Sequence, residues 1–253
     1  MSAPCAPAPF IDVETVGAGE IGLLAVHGIQ GTRASWQAVA AELSDACSIA
    51  LPNLRGRGSA WRGRGPQEYT LRAYASELQA VASAHADARP FFLAGWSMGV
   101  SVVLEYLQLP DAPRPLGLIL LSGSPCLCET QWFHASGDDL RDEIARREAR
   151  LGLKLAADHD AVAWTWEAIR HTDQSETLRD IDLPVLILHG SADEDSPWPH
   201  AVRLRKGIAG AELVTLEGAG HGLLTQNTAE IAQQMRRFID THSTARKASL
   251  EKR

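Results

Sequence analysis

Phe91-Phe92-Leu93-Ala94-Gly95-Trp96-Ser97-Met98-Gly99 is the stretch from which the rest of the chain can be read. Its opening apolar run suits a strand buried on both faces, and Met98 to Leu109 carries apolar residues at helical spacing. Ser97 therefore stands where a strand turns sharply into a helix. Such a turn strains the serine backbone, and Gly95 and Gly99 lack the Cβ atoms that would collide where strand and helix approach. The hydroxyl is expected to project above the sheet, with the amide of Met98 at the positive end of the helix, suited to stabilising an oxyanion. Composition alone places G-x-S-x-G in on the order of one chain in ten of this length. Its weight comes from the strand before it, the helix after it and the partners it finds elsewhere.

A chain of 253 residues suits one large domain, or one domain with an inserted segment. Hydrophobic residues at 45% and charged residues at 22% are ordinary for a globular protein, and a net charge of −7 gives no reason to expect nucleic acid as a partner. No apolar run reaches the length of a membrane span, so no membrane partner is expected. Met1 to Pro9 has neither the basic residues nor the apolar core of a secretory signal, which makes a cytoplasmic location the expectation. Cys5, Cys47, Cys126 and Cys128 form no C-x-x-C pair and no zinc spacing; no metal or organic cofactor is implied, and Cys126 and Cys128 read as reduced thiols in a loop.

Residues 1–9 read as disordered, and Phe10 to Val16 alternates like a half-buried strand. Gly17-Ala18-Gly19-Glu20-Ile21-Gly22 matches the dinucleotide pattern G-x-G-x-x-G, but it runs into the strand Leu23 to Val26 rather than opening a helix, so it reads as a hairpin turn. His27-Gly28-Ile29-Gln30-Gly31 follows, then a helix from about Trp36 to Leu43. A strand ending in His-Gly aims a backbone amide into the crevice at the strand's carboxyl end, which makes Ile29 the second candidate oxyanion donor. Cys47 to Leu51 is a short strand. Arg55, Arg57, Arg62 and Arg64 then lie among glycines in what reads as a solvated loop beside the site's mouth. A helix over about Leu71 to Ala84, the Ser97 turn and the strand Leu116 to Leu121 continue an alternation that specifies a mostly parallel sheet with helices on both faces.

Between Gly123 and Leu178 this alternation lapses. The segment holds a charged helix, about Asp138 to Leu151, and an aromatic one, about Ala161 to Arg170, and reads as a helical cap inserted into a core formed by 10–122 and 179–241. Trp132, Trp164 and Trp166, with Trp96 at the turn itself, are candidate pocket residues. Strand Val185 to Leu188 closes in His189-Gly190-Ser191-Ala192-Asp193, a helix spans about Pro199 to Ile208, and strand Glu212 to Leu216 empties into Gly218-Ala219-Gly220-His221. A last helix covers about Ala229 to Thr241, and 242–253 reads as a frayed tail.

A serine hydroxyl needs a base within hydrogen-bond reach, and that base needs an acid to set its tautomer. Of nine histidines, His221 is best placed, in a glycine-rich loop at the carboxyl edge of the sheet. His27 and His189 stand directly before glycine at strand ends and are expected to be packed or hydrogen-bonded in their turns. Asp193 follows its strand closely and gives the chain order Ser, Asp, His; Asp195 and, more remotely, Glu129 remain open as the acid.

With its motifs in this order, the chain resembles the α/β-hydrolase superfamily, in its small bacterial esterase-like branch with a helical cap, over roughly residues 10–241. The resemblance implies Ser97 as nucleophile, His221 as general base and acid, Asp193 as its orienter, and the amides of Ile29 and Met98 as oxyanion hole. It further implies a serine hydrolase acting on a small acyl substrate, with a carboxylic ester first and a lactone, an amide, a carbon–carbon bond or perhydrolysis as alternatives. A ligand receptor without catalysis is the remote one. Two departures stand out: only one strand is available before Leu23, implying seven strands rather than eight, and Pro52-Asn53 replaces an Asp that relatives often carry before Arg-Gly-x-Gly.

Overall fold

In the strands between Ile21 and Gly190 almost every residue is buried, and neighbours point to opposite layers. The computed structural model describes residues 11–86, 89–130 and 132–250; residues 1–9, expected to be disordered, and Phe10 lie outside them. Strands β1 (Asp12–Val16), β2 (Ile21–Val26), β3 (Cys47–Asn53), β4 (Phe91–Trp96), β5 (Leu118–Leu121), β6 (Val185–Gly190) and β7 (Glu212–Leu216) form one seven-stranded sheet in the order β1-β3-β2-β4-β5-β6-β7. Only β1 is antiparallel to its neighbour. The chain thus has the α/β-hydrolase fold class expected of it.

The helices are α1 (Gln37–Leu43), α2 (Leu71–Ala86), α3 (Met98–Tyr106), α4 (Asp138–Leu151), α5 (His159–Ile169), α6 (Pro199–Gly207), α7 (Leu223–Gln226) and α8 (Thr228–Leu250). Leu23, Ala25, Phe92, Ala94 and Ile119 pack with α1, α7 and α8 on one face. Leu24, Val26, Leu93, Leu118 and Leu120 pack with α2, α3 and α6 on the other. The helices between β5 and β6 add Leu140, Ile144, Val162 and Trp166 to this second layer, so their apolar faces belong to the same core. No described helix is long and apolar enough to cross a membrane.

Two local expectations need correction. Residues 17–20 are not a hairpin turn, because β1 pairs with β3 and not with β2. The alternating pattern predicted a strand but could not name its partner; the chain steps past the end of β3, with Gly17 and Gly19 against backbone carbonyls of Ser44, Ala46 and Cys47. The last helix does not fray at His242 but continues to Leu250, there being no glycine or proline to stop it. Pro52 and Asn53 extend β3 beyond Leu51, opposite β1. The Asn53 amide donates to Asp12, 2.9 Å away, and its carbonyl accepts from the amide of Arg33 at 2.8 Å. Asp12 thus supplies a carboxylate beside the turn that follows Asn53.

Candidate active site

The sheet order reverses between β2 and β4, which opens a crevice at their carboxyl ends. Ser97 stands there with φ 59° and ψ −122°, a strained conformation for a residue with a side chain. The turn is this tight because a Cβ on Gly95 would lie 2.4 Å from the carbonyl oxygen of Gly99, and one on Gly99 2.4 Å from that of Val26. The loops after β6 and β7, on the same edge, carry Asp193 and His221.

These three side chains meet. Ser97 Oγ lies 2.9 Å from His221 Nε2, and His221 Nδ1 lies 3.0 Å from each oxygen of Asp193. With a carboxylate on Nδ1, that nitrogen carries the proton and Nε2 accepts from the hydroxyl. Asp193 also accepts from the amides of Asp195 at 3.0 Å and Ser196 at 2.8 Å. Burial pushes its carboxyl up, but the charge on His221 and hydrogen bonds from His221 and Ser196 outweigh this and leave it below the ordinary range. Trp96 braces His221 from behind: its indole N–H donates to the His221 carbonyl at 3.0 Å, and the two rings lie 5.3 Å apart.

Ile29 and Met98 flank the serine. A Cβ on Gly28 would stand 3.1 Å from Ser97 Cβ, which puts the Gly28–Gly31 turn against the hydroxyl group. The Ile29 amide donates to no acceptor among the described residues, and that of Met98, at the first position of α3, has no intrahelical acceptor. His27 is buried and neutral: Nδ1 donates to Gly28 O at 2.9 Å while Nε2 accepts from the Leu54 amide at 3.1 Å. Burial, then the charge on Arg57, bring its pKa from 6.5 to about 3. His189 is likewise buried, with Nε2 donating to the Ser196 carbonyl at 2.7 Å, and burial lowers its pKa.

A cavity of ≈ 610 Å³ reaches His221 and Trp96 and is walled by Leu151, Leu153, Leu155 and Leu224. Of the four tryptophans expected at a pocket, only Trp96 lines it. Trp132 and Trp166 stack at 5.8 Å and are buried, and Trp164 packs on Tyr69 at 5.6 Å. A two-helix insertion has little apolar material of its own, and these rings fill the space beneath it. The arginine and glycine loop also differs from its expectation as a solvated segment. Arg55 and Arg57 are buried, Arg55 pairing with Glu77 at 2.7 Å, whereas Arg62 and Arg64 are at the surface.

Asp195, Arg147, Arg150 and Gln30 were not singled out for the places they hold near His221. Asp195, set aside above as the weaker acid, approaches His221 from the other side, its Oδ2 3.9 Å from Nε2. It is tied to Arg147 at 2.6 Å and Arg150 at 3.2 Å, both on α4. Arg147 further donates to Gln30 Oε1 at 2.5 Å, and Gln30 Nε2 to the Ile144 carbonyl at 2.9 Å. These contacts tie α4 to the turn after β2 and to the loop after β6; Ser97 itself is 2% exposed. A sequence signal for Arg147 existed: Leu140, Ile144, Arg147 and Leu151 share one face at helical spacing, so an arginine occupies an apolar stripe. Among the described residues no group of three or more His, Cys, Asp or Glu side chains is arranged to hold a metal ion.

Comparison with known proteins agrees with the fold. The model of the alpha/beta hydrolase family matches residues 23–234. The AB hydrolase superfamily protein YisY of Bacillus subtilis is 25% identical over 220 residues, which span 75% of this chain and 80% of that protein. A pimeloyl-[acyl-carrier protein] methyl ester esterase of Pectobacterium atrosepticum is 24% identical over 255 residues, 89% of this chain and 96% of the relative. Among solved structures, an esterase from Exiguobacterium antarcticum superposes with a TM-score of 0.80 at 20% identity, covering 93% of this chain and 97% of that one.

Proposed function

The chain belongs to the alpha/beta hydrolase family, and on that premise we propose that it is a serine hydrolase that cleaves a carboxylic ester through an acyl-enzyme. The observation that carries this reading is the unbroken hydrogen-bond chain from Ser97 through His221 to Asp193. Ser97 attacks the ester carbonyl as His221 Nε2 takes its proton, and the tetrahedral oxyanion forms against the amides of Ile29 and Met98. The imidazolium, stabilised by Asp193, gives its proton to the departing alcohol. Water, deprotonated by the same nitrogen, then releases the acid. The leucines of the cavity beside His221 suit the apolar part of a small acyl substrate, and the end of α4 with the segment that follows it, which wall the cavity, select it. The thiols of Cys47, Cys126 and Cys128, free of disulfides, favour a reducing, cytoplasmic setting.

A fluorophosphonate probe followed by mass spectrometry of the adduct tests the nucleophile. Modification of Ser97 that disappears in His221→Ala is expected; an unlabelled Ser97 in folded protein would overturn the reading. A panel of p-nitrophenyl esters of rising acyl length, run beside lactones, amides and a peracid-forming assay, tests the bond. Faster turnover of any of the latter would replace the ester in this proposal.

A further inference from the structure

Arg57 is completely buried, and among the described residues it makes no ion pair. One of its terminal nitrogens donates to the Ile29 carbonyl at 2.6 Å. The other donates to the Arg55 carbonyl at 2.9 Å and the Tyr74 hydroxyl at 2.6 Å, while Nε has no acceptor. The one buried carboxylate nearby, Glu77, is paired with Arg55 at 2.7 Å and also feels the charge of Arg57, so two buried guanidiniums face a single carboxylate and positive charge is left in excess. Tyr74 stays protonated, since burial raises its pKa, and its hydroxyl lies 2.6 Å from Thr165 Oγ1, which itself donates to Ala161 O. Tyr74 is therefore a donor to Thr165 and an acceptor from Arg57. Burying a guanidinium without a carboxylate of its own is unfavourable, so the structure holds this charge against a penalty at one place, behind a carbonyl of the turn that abuts Ser97.

Two other carbonyls of that turn are already tied. The Gly28 carbonyl accepts from the Gly31 amide at 3.2 Å and from His27, and the Gln30 carbonyl accepts from the Ala157 amide at 2.9 Å. The Ile29 carbonyl is held by Arg57, which leaves the Ile29 amide free to donate. We propose that Arg57 is a positioning residue for the oxyanion turn: it clamps the Ile29 carbonyl, which fixes the amide on the other side of the same Cα. The excess positive charge then favours an anionic tetrahedral adduct over the neutral ester. The inference rests on the reading of Ser97 as nucleophile and Ile29 as oxyanion donor. A preorganised positive field in a water-poor site acts on the state in which charge has developed, so its removal lowers kcat rather than raising KM.

The test compares the wild type with Arg57→Met and Arg57→Lys, using p-nitrophenyl acetate turnover and the affinity for phenylboronic acid, which adds to a serine hydroxyl as a tetrahedral anion. Arg57→Met should lower kcat by about 10²-fold with KM within about twofold, and weaken the boronate by a similar factor. Arg57→Lys keeps the charge but cannot reach all three acceptors, and should fall between the two. A folded variant with wild-type kcat, a loss confined to KM, or unchanged boronate affinity overturns the inference, since a bolt between loops would lower the melting temperature without that pattern. Should Arg57→Met not fold, Arg57→Lys carries the test, with an expected loss of about tenfold in both readouts. Fluorophosphonate labelling of wild-type Ser97 separates the two levels: without it the hydrolase reading falls first, and with it only the role of Arg57 is at stake.

Discussion

Asp193 and Asp195 are two residues apart and approach His221 from opposite sides of its ring. Asp193 holds Nδ1 at 3.0 Å, whereas Asp195 stands 3.9 Å from Nε2 and spends its charge on two arginines. In the proposed reaction only Asp193 sets the tautomer. Asp193→Asn is therefore expected to lower kcat for an active p-nitrophenyl ester by about 10⁴-fold, while Asp195→Asn lowers it by less than about tenfold; equal losses would reopen the choice of acid. His27 sets a pH dependence of stability. Unfolded, it takes a proton near 6.5, but folded only near 3, so between these values the unfolded chain holds the extra proton and stability falls as pH is lowered. The full contribution is present above 6.5 and declines by about 1.4 kcal/mol per pH unit below it. Urea unfolding between pH 7.5 and 4.5 should show a shallower decline in His27→Asn than in the wild type.

Helix α4 follows an amphipathic pattern with one charged residue in its apolar stripe, and that residue ties the insertion to the core. Arg147 is buried between Asp195 and Gln30, with Phe133 beneath its guanidinium at 5.4 Å; Arg150 reaches the same carboxylate from the surface. Removing one partner of a buried pair leaves the other without compensation, whereas an exposed partner contributes little. Arg147→Met should lower the unfolding free energy by roughly 3 kcal/mol, and Arg150→Met by less than about 1 kcal/mol, as read from urea midpoints at constant m-value. Comparable small losses in both would show that α4 is held by its leucine and isoleucine contacts alone.

Across the whole molecule, the layer beneath the inserted helices is shared: Ile144, Val162 and Trp166 lie in one apolar cluster with Val103, Leu118 and Leu204. A segment without a core of its own has no separate transition to undergo. Far-ultraviolet circular dichroism and tryptophan fluorescence are therefore expected to report a single coincident urea transition. Fluorescence, which is dominated in part by Trp132, Trp164 and Trp166, would change first if the insertion unfolded independently.

The strand and helix alternation, the Ser97 turn and the order of Ser97, Asp193 and His221 were legible in the residues, because each depends on local backbone geometry or on the end of a strand. Glycines at 95 and 99 are required by contacts within a single turn, and a period of two or of 3.6 residues needs no knowledge of the partner. What the local pattern could not carry was partnership. The pairing of β1 with β3, the burial of Arg55 and Arg57, the withdrawal of three tryptophans from the cavity and the approach of Arg147 to Asp195 all join residues far apart in the chain. Whether a charge is solvated or enclosed depends on what folds over it, so an arginine among glycines reads as a surface loop until α2, α5 and the turn after β2 close around it. The candidate nucleophile and its base could therefore be named from sequence alone, while the buried guanidinium behind the Ile29 carbonyl exists as a site only in the folded chain.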